Sequence, residues 1–233
     1  ELPEGLGVLA VMQVNNEIGT VQPVADLAER ARAMGALFVC DAVQAAGKMA
    51  VAEADLIAVT GHKFHGPKGI GALWVREGVE LEPVITGGGQ EHGLRSGTLS
   101  PALCAGLGAA ARLAFDAAAE DEAHVGALFA RGRELFGGWE LNGSAAQRYK
   151  GNLNIRQEGL DVARLMSDVR EVCFSAGSAC ASESGKPSRV LRAIGLSPAQ
   201  ARNSIRLGFG RYTTLDQFEE GAGLILEAAR WQH

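Results

Sequence analysis

The sequence predicts an α/β protein, with a mostly parallel sheet and flanking helices followed by a smaller α+β domain. In the first half of the chain, short apolar runs alternate with amphipathic segments, which is the rhythm of strands and helices in an α/β sheet. Further along, strands and helices are short, and capping boxes begin at Ser197 and Thr214. We expect residues 1–124 to be the C-terminal portion of a large domain and residues 125–233 to be a small C-terminal domain.

Each element follows from a local pattern. The apolar runs of the first part predict a buried strand at 7–14 and further strands at 36–40, 55–59 and 69–75, the last of them broken by glycines. Proline at a helix start predicts helices that begin at Pro23 and at Ser100-Pro101, and a further helical stretch runs to about residue 136. The small domain is predicted to hold strands at 152–155, 172–174 and 204–209, with helices over 160–169 and from Thr214 to about 231.

Composition limits the function classes. The chain has 233 residues, of which 47% are hydrophobic and 21% charged, and its net charge is −5. These values allow a substantial core and argue against a general nucleic-acid or membrane-surface binder. No apolar run reaches the roughly 18 residues of a membrane span. Because the chain enters an apolar run a few residues after Glu1, we expect a preceding segment.

The four cysteines are Cys40, Cys104, Cys173 and Cys180. They form no CxxC pair and no zinc-type spacing, so we expect no metal site. Without a secretory signal, free thiols in a reducing cytoplasm are the expectation. Three of the cysteines lie in apolar stretches and fit small buried residues. Cys180 instead lies among Ser, Ala and Gly, which predicts an exposed loop.

Two polar residues follow neighbouring predicted strands. Asp41 ends one apolar run, and Lys63 comes just after the next, so both are predicted at the sheet edge where α/β proteins bind ligands. In pyridoxal-phosphate enzymes a lysine forms a Schiff base and a carboxylate keeps the pyridine nitrogen protonated. From these two residues alone, a capping aspartate and a solvated loop lysine are the more common interpretation, because Asp and Lys are frequent at such turns.

Six short motifs resemble those of one enzyme family. They are NNEIG at 15–19, DAVQ at 41–44, GHK at 61–63, GPKG at 66–69, RSGT at 95–98 and GSAC at 177–180. Their order is similar to that in class V, fold-type I pyridoxal-phosphate enzymes, and the resemblance is strongest to cysteine desulfurases of the nitrogen-fixation and housekeeping iron–sulfur type. It covers essentially the whole chain. The family's ring-stacking residue, usually His, and its early phosphate-binding turn would precede Glu1.

The resemblance implies a set of site residues. Lys63 would carry pyridoxal 5'-phosphate and Asp41 would pair with the ring nitrogen. Gln44 and Asn16 would bond the phenolic oxygen, since an amide can donate to it. The phosphate would be contacted by Thr60 and His62, and by Thr98 from the other subunit, which implies a homodimer.

The resemblance also implies the reaction. Arg206 would bind the substrate carboxylate, with Asn16 as a second substrate contact, because a guanidinium fits a carboxylate in two places. Cys180 would take sulfur from L-cysteine as a persulfide, releasing L-alanine. The sulfur would pass to an acceptor protein such as an iron–sulfur scaffold, in the cytoplasm.

Rival interpretations remain open. A selenocysteine lyase or another class V enzyme would keep the lysine and aspartate but differ in the cysteine loop. From a different class, the chain could be a non-catalytic fragment that acts as a dimerising scaffold without cofactor. A metal-binding module is the weakest alternative, because recognisable ligand spacing is missing.

Overall fold

The computed structural model describes residues 2–177 and 187–232. Its contacts divide the chain into two compact units. Unit 1 comprises Glu1–Gln13 and Gln22–Ala118, and unit 2 comprises Val14–Val21 and Ala119–His233. The short stretch Val14–Val21 thus belongs with the C-terminal half of the chain. Compactness alone does not establish independent domains, so the predicted domain boundary stays a prediction.

Unit 1 is built on a four-stranded sheet. The strands, in the order β1-β2-β3-β4 across the sheet, are β1 Val8–Met12, β2 Leu37–Asp41, β3 Leu56–Thr60 and β4 Gly71–Val75. β1, β2 and β3 run parallel, and β4 is antiparallel to β3. The predicted mostly parallel sheet is therefore confirmed.

The burial of β1 differs from the prediction. Val8 and Met12 of β1 are exposed, and most of β4 is exposed as well. An apolar run shows only that a strand can be buried, because burial depends on the neighbours that cover it. The burial expected for the strand at 7–14 is therefore wrong.

Two helices and one buried carboxylate support this sheet. Helix α1, Val24–Ala33, turns an alanine-containing face inward, and α2, Pro101–Asp116, begins at Ser100 with proline in its first turn. Asp55 is 4% exposed; its carboxylate accepts from the Phe38 backbone N–H at 2.7 Å and from Arg76 Nε at 2.7 Å. This contact ties the start of β3 to β2, whose carboxyl end carries the predicted site.

Unit 2 holds an antiparallel sheet and most of the large apolar side chains. The strands, in the order β5-β6-β8-β7, are β5 Glu140–Leu141, β6 Asn152–Arg156, β7 Ser175–Ala176 and β8 Ser204–Gly208. The helices are α3 Ala118–Leu135, α4 Val162–Asp168, α5 Arg189–Ala193, α6 Pro198–Arg202 and α7 Leu215–Arg230. Buried residues of α7 recur every three or four positions, which packs one face of the helix on the core.

In unit 2 the capping boxes predicted helix starts correctly, whereas one apolar run predicted a strand wrongly. Both capping boxes form, at Ser197 with Gln200 and at Thr214 with Gln217, and the helices start where they predict. The predicted strand at 172–174 is wrong, since the nearby strand is β7. Val172 and Phe174 pack on the core from outside the sheet, so their apolar character reflects packing and not strand pairing.

Within the described residues, none of the individual helices combines the length and hydropathy of a membrane span. Helices α2 and α3 reach both only when they are counted as a pair.

Candidate functional site

The carboxyl ends of β2 and β3 bring the predicted cofactor residues of unit 1 side by side. Asp41 is the last residue of β2 and Thr60 the last of β3, and Asp41 is in register with Ala58. Lys63 ends the short 3-10 helix Gly61–Lys63, which follows β3 directly. The side chains of Asp41 and Lys63 are exposed. Parallel strands thus deliver a carboxylate and an amine to one edge of the sheet.

Hydrogen bonds orient the polar groups at this edge. Asp41 Oδ1 accepts from the Val43 backbone N–H at 3.0 Å. Thr60 Oγ1 lies 3.1 Å from His62 Nδ1 and 3.3 Å from the Ile70 carbonyl oxygen. Because a hydroxyl has one proton, it can donate to only one of these two neighbours at a time. The side chains of Thr60 and His62 therefore lie within hydrogen-bond distance of each other at the end of β3.

Lys48 is a charged neighbour of the site that the sequence pattern alone did not single out. Its Nζ donates to Gln44 Oε1 at 2.9 Å. Burial, and then the positive charge of Lys63, lower the pKa of Lys48 to about 8. The four-residue separation of Gln44 and Lys48 was the available signal, since such pairs meet on one side of a helical turn.

Gly47 lets the turn that carries Lys48 pack closely against the segment that carries Lys63. Gly47 has φ +73°, and a Cβ built there would lie 2.6 Å from Phe64 Cβ. Only a residue without a side chain fits both the conformation and the space. Phe64 directly follows Lys63, so the approach fixes the turn that carries Lys48 against the segment that carries Lys63.

In unit 2 the structure brings Asn16 together with Arg206. Arg206 Nη1 donates to the Asn16 carbonyl oxygen at 2.9 Å. Asn152 Nδ2 donates to the same oxygen at 3.2 Å, and Asn154 Nδ2 donates to the carbonyls of Glu17 at 2.9 Å and Gly177 at 3.0 Å. Amides of β6 therefore hold the backbone of the NNEIG motif, whose Asn16 side chain is left exposed.

The buried Arg148 side chain also holds the backbone of the NNEIG motif. It is 6% exposed and donates to the carbonyls of Ile18 at 3.0 Å, Asn152 at 2.9 Å and Ser144 at 2.9 Å. Its guanidinium also lies 5.0 Å from the centre of the Phe129 ring. Burial lowers the pKa of Arg148 to about 10. A fourth acceptor is the Asn142 carbonyl at 3.5 Å. Because every one of these acceptors is a neutral backbone carbonyl, Arg148 holds the motif by hydrogen bonds and not by an ion pair.

The predicted site residues therefore fall into two groups. Unit 1 holds Asp41, Gln44, Thr60, His62, Lys63 and Thr98, and unit 2 holds Asn16 and Arg206. Thr98 is exposed, one residue beyond Gly97 at φ +114°. Cys180 lies outside the described residues. Among those that are described, no cluster of His, Cys, Asp and Glu could hold a metal ion.

The other cysteines divide differently from the prediction. Cys40 is fully buried, and burial followed by the charge of Asp41 raises its pKa to about 11, which makes it a poor nucleophile. Cys104 and Cys173 are exposed, so the expectation that they are small buried residues is wrong. Cys104 belongs to α2, whose described surroundings leave that part of the helix uncovered.

The donor groups at the edge of unit 1 fit pyridoxal 5'-phosphate. The cofactor needs an amine for its aldehyde, a carboxylate for its pyridinium nitrogen, and donors for its phenolic and phosphate oxygens. Lys63 and Asp41 supply the first two. Gln44 supplies an amide, and Thr60 with His62 supply a hydroxyl and an imidazole at the next strand end.

The chain is similar to several known proteins. A cysteine desulfurase, IscS, of Rickettsia bellii is 41% identical over 228 residues, which cover 94% of this chain and 56% of the relative. A solved structure of a NifS-like protein matches 99% of this chain and 63% of its own, with a TM-score of 0.89 and 28% identity. A structure of SspA in complex with cysteine matches 91% of this chain and 61% of its own, with a TM-score of 0.75 and 34% identity.

The chain thus spans little more than half the length of the curated relative that it matches. The family model for class-V aminotransferases matches residues 1–220, which is most of the sequence. The chain belongs to the class-V aminotransferase family.

Proposed function

We propose that this chain forms the greater part of a pyridoxal-phosphate-dependent cysteine desulfurase, which converts L-cysteine to L-alanine and carries the sulfur on Cys180. The observation that carries the proposal is the placement of Lys63 just after β3, beside Asp41 at the end of β2. The kinship with an IscS cysteine desulfurase at 41% identity favours sulfur chemistry over other class V reactions.

Pyridoxal 5'-phosphate supplies an electron sink for the carbanion that forms at the substrate α-carbon. Lys63 would hold the cofactor and move the α-proton through its Nζ. Asp41 would keep a proton on the ring nitrogen, and its Oδ1 is already oriented by the Val43 N–H at 3.0 Å. Gln44 and Asn16 would donate to the phenolic oxygen. Thr60 and His62 would hold the phosphate, with Thr98 reaching it from the partner subunit of a homodimer.

Arg206 would bind the carboxylate of L-cysteine, assisted by Asn16. One of its five N–H donors is engaged by the Asn16 carbonyl, at 2.9 Å, and this contact orients the guanidinium plane. A guanidinium held in this way can offer a paired set of donors to a planar carboxylate. Arg206 is half-buried, which strengthens such an interaction relative to one in open water.

Cys180 would act as a thiolate on the sulfur of the substrate. A bond forms between the two sulfurs as the carbon–sulfur bond of L-cysteine breaks. The electron pair stays with carbon, which takes a proton and leaves as L-alanine. Cys180 keeps a persulfide, which passes to a sulfur-acceptor protein such as an iron–sulfur scaffold in the cytoplasm.

The first experiment tests Lys63. Purified chain is mixed with pyridoxal 5'-phosphate, and the visible absorbance of the bound cofactor is measured before and after borohydride reduction. Lys63→Ala should abolish the lysine-linked band, while Lys68→Ala, an exposed lysine five residues away, should keep it. A full band in Lys63→Ala would overturn the assignment of Lys63.

The second experiment tests Cys180. Desulfuration of L-cysteine should be lost in Cys180→Ala, although the visible absorbance of the cofactor should persist. Cys104→Ala is the matched control, because Cys104 is also a free thiol and is exposed. Desulfuration that survives in Cys180→Ala would contradict its role, and a rate much higher with L-selenocysteine than with L-cysteine would favour a selenocysteine lyase.

A further inference from the structure

The Lys48 side chain sets which way the Gln44 amide faces. A protonated lysine has three N–H donors and no acceptor, so the atom that Gln44 turns to Lys48 must be its oxygen. Nζ of Lys48 lies 2.9 Å from Gln44 Oε1. Because the amide is planar, its Nε2 then points away from Lys48. The group that Gln44 offers on its other side is an N–H donor.

The position of Lys48 is fixed by the backbone of its turn. The Ala45 carbonyl oxygen accepts from the Lys48 N–H at 3.0 Å and from the Met49 N–H at 3.1 Å. Gly47 brings this turn against Phe64, where a Cβ would be only 2.6 Å from the Phe64 Cβ. The backbone of Lys48 is therefore held where its side chain reaches the Gln44 amide.

The charge of Lys48 depends on pH in the neutral to weakly basic range. Burial and the charge of Lys63 lower its pKa to about 8, so it is protonated below that pH and loses its proton above it. Lys63 is a charged group close enough to Lys48 to lower its pKa, and the neutral Gln44 amide is a polar group that accepts from it. Once neutral, the amine can accept as well as donate, and its control over the orientation of the amide weakens.

We propose that Lys48 is a positioning residue: it holds the Gln44 amide so that Nε2, and not Oε1, faces the phenolic oxygen of the cofactor. This inference rests on the proposed function for the identity of that oxygen. An anionic oxygen needs a donor, and an amide turned the wrong way would present a second acceptor and repel it. Lys48 thus acts on the cofactor through Gln44.

The first test needs no cofactor. The Gln44 side-chain N–H signals are followed by NMR as the pH is raised. In the wild-type chain they should shift with a midpoint at about 8, the pKa of Lys48. In Lys48→Met this transition should disappear, and in Lys48→Arg, whose side chain stays protonated, the signals should keep their low-pH position. A transition at the same pH in Lys48→Met would overturn the proposal.

The second test uses cofactor-loaded protein and measures the pH at which the bound cofactor changes colour. Lys48→Met should raise this midpoint by about one pH unit, because the loss of a donor and of a nearby positive charge both favour the protonated nitrogen at Lys63. Lys48→Arg should stay near wild type, and Lys68→Met serves as the control for removal of a nearby exposed lysine.

A double variant separates action through Gln44 from a purely electrostatic effect. If Lys48 acts through the amide, the midpoint in Lys48→Met/Gln44→Met should rise by clearly less than the sum of the two single shifts. Additive shifts would contradict a positioning role. Failure of the wild-type chain to bind cofactor would count against the proposed function, while the cofactor-free titration would still decide whether Lys48 orients Gln44.

Discussion

The two units bury their polar anchors in opposite ways. In unit 1 the anchor is a carboxylate, Asp55, which is 4% exposed and accepts from a backbone N–H and from Arg76. In unit 2 it is a guanidinium, Arg148, which is 6% exposed and donates to backbone carbonyls. Both anchors fasten the backbone near a predicted site, but only the first depends on a group that titrates in acid.

The sign of each pKa shift gives the two units different pH responses. The Phe38 N–H, opposed in part by burial and assisted by Arg76, holds the pKa of Asp55 below its ordinary value of 3.8. Its contribution to stability is therefore present above 3.8 and is lost as the pH falls through the lower folded-state pKa. Arg148 has a pKa of about 10 and keeps its charge throughout acid and neutral solution. Acid should consequently weaken the anchor of unit 1 and leave that of unit 2 intact.

The largest expected effect is the loss of the unit 2 anchor. Arg148→Met leaves the carbonyls of Ile18, Ser144 and Asn152 without this buried donor, and should lower the free energy of unfolding by about 3–5 kcal/mol. Denaturant unfolding measures it. Arg131→Met is the matched control, because Arg131 is 40% exposed and pairs with Glu134 and Glu219 at the surface, so a much smaller change is expected. Equal losses in the two variants would contradict the anchoring role of Arg148.

A smaller effect is expected at Asp55, and it should depend on pH. Asp55→Asn can keep one hydrogen bond but turns an amide donor or a weaker acceptor toward Arg76, which should cost about 2 kcal/mol at neutral pH. The difference from wild type should shrink as the pH falls below 3.8 and through the lower folded-state pKa, since the wild-type carboxyl then becomes protonated. Unfolding midpoints across this range measure it, and a gap that stays constant in acid would show that Asp55 is not the titrating anchor.

The smallest expected effect is a difference in stability between alanine substitutions at two glycines of unit 1 that have the same backbone conformation. Gly47 and Gly35 both have φ +73°, but a Cβ at Gly47 meets Phe64 at 2.6 Å while a Cβ at Gly35 meets nothing within 4 Å. Alanine at either position pays the same backbone strain. Gly47→Ala should therefore be less stable than Gly35→Ala by about 1–2 kcal/mol, the usual cost of overpacking. Equal stabilities would mean that the approach to Phe64 is not tight.

The sequence was most informative where the signal is local. The strand ends at Asp41 and Thr60 could be predicted within a residue, because apolar runs of four or five residues stop there at polar ones. The starts of the helices at Ser100, Ser197 and Thr214 could be predicted equally well, because a capping hydroxyl accepts from a backbone N–H only two or three residues away. The α/β class and the placement of Lys63 after a strand followed from these signals.

What could not be predicted depends on contacts between distant residues. The grouping of Val14–Val21 with the C-terminal half rests on donors at Arg148, Asn152 and Asn154, whose roles no local pattern reveals. The exposure of Cys104 and of β1 likewise depends on what covers them. The contact between Lys48 and Gln44 could have been predicted, because the two residues have helical spacing. The role of Lys48 could not, because a lysine at the end of a turn resembles any solvated lysine until its burial is known.

The backbone of the NNEIG motif can be held in place only after much later parts of the chain have been synthesised. Its donors come far later in the chain: Arg148 is separated by 130 residues from Ile18, and Arg206 by 190 residues from Asn16. Synthesis proceeds from the N-terminus, and closing such long loops is entropically slow. Residues 14–21 are therefore the first part of unit 2 to be synthesised, and they must wait for their partners: Asn16 and Arg206 can meet only after Arg206 has been synthesised.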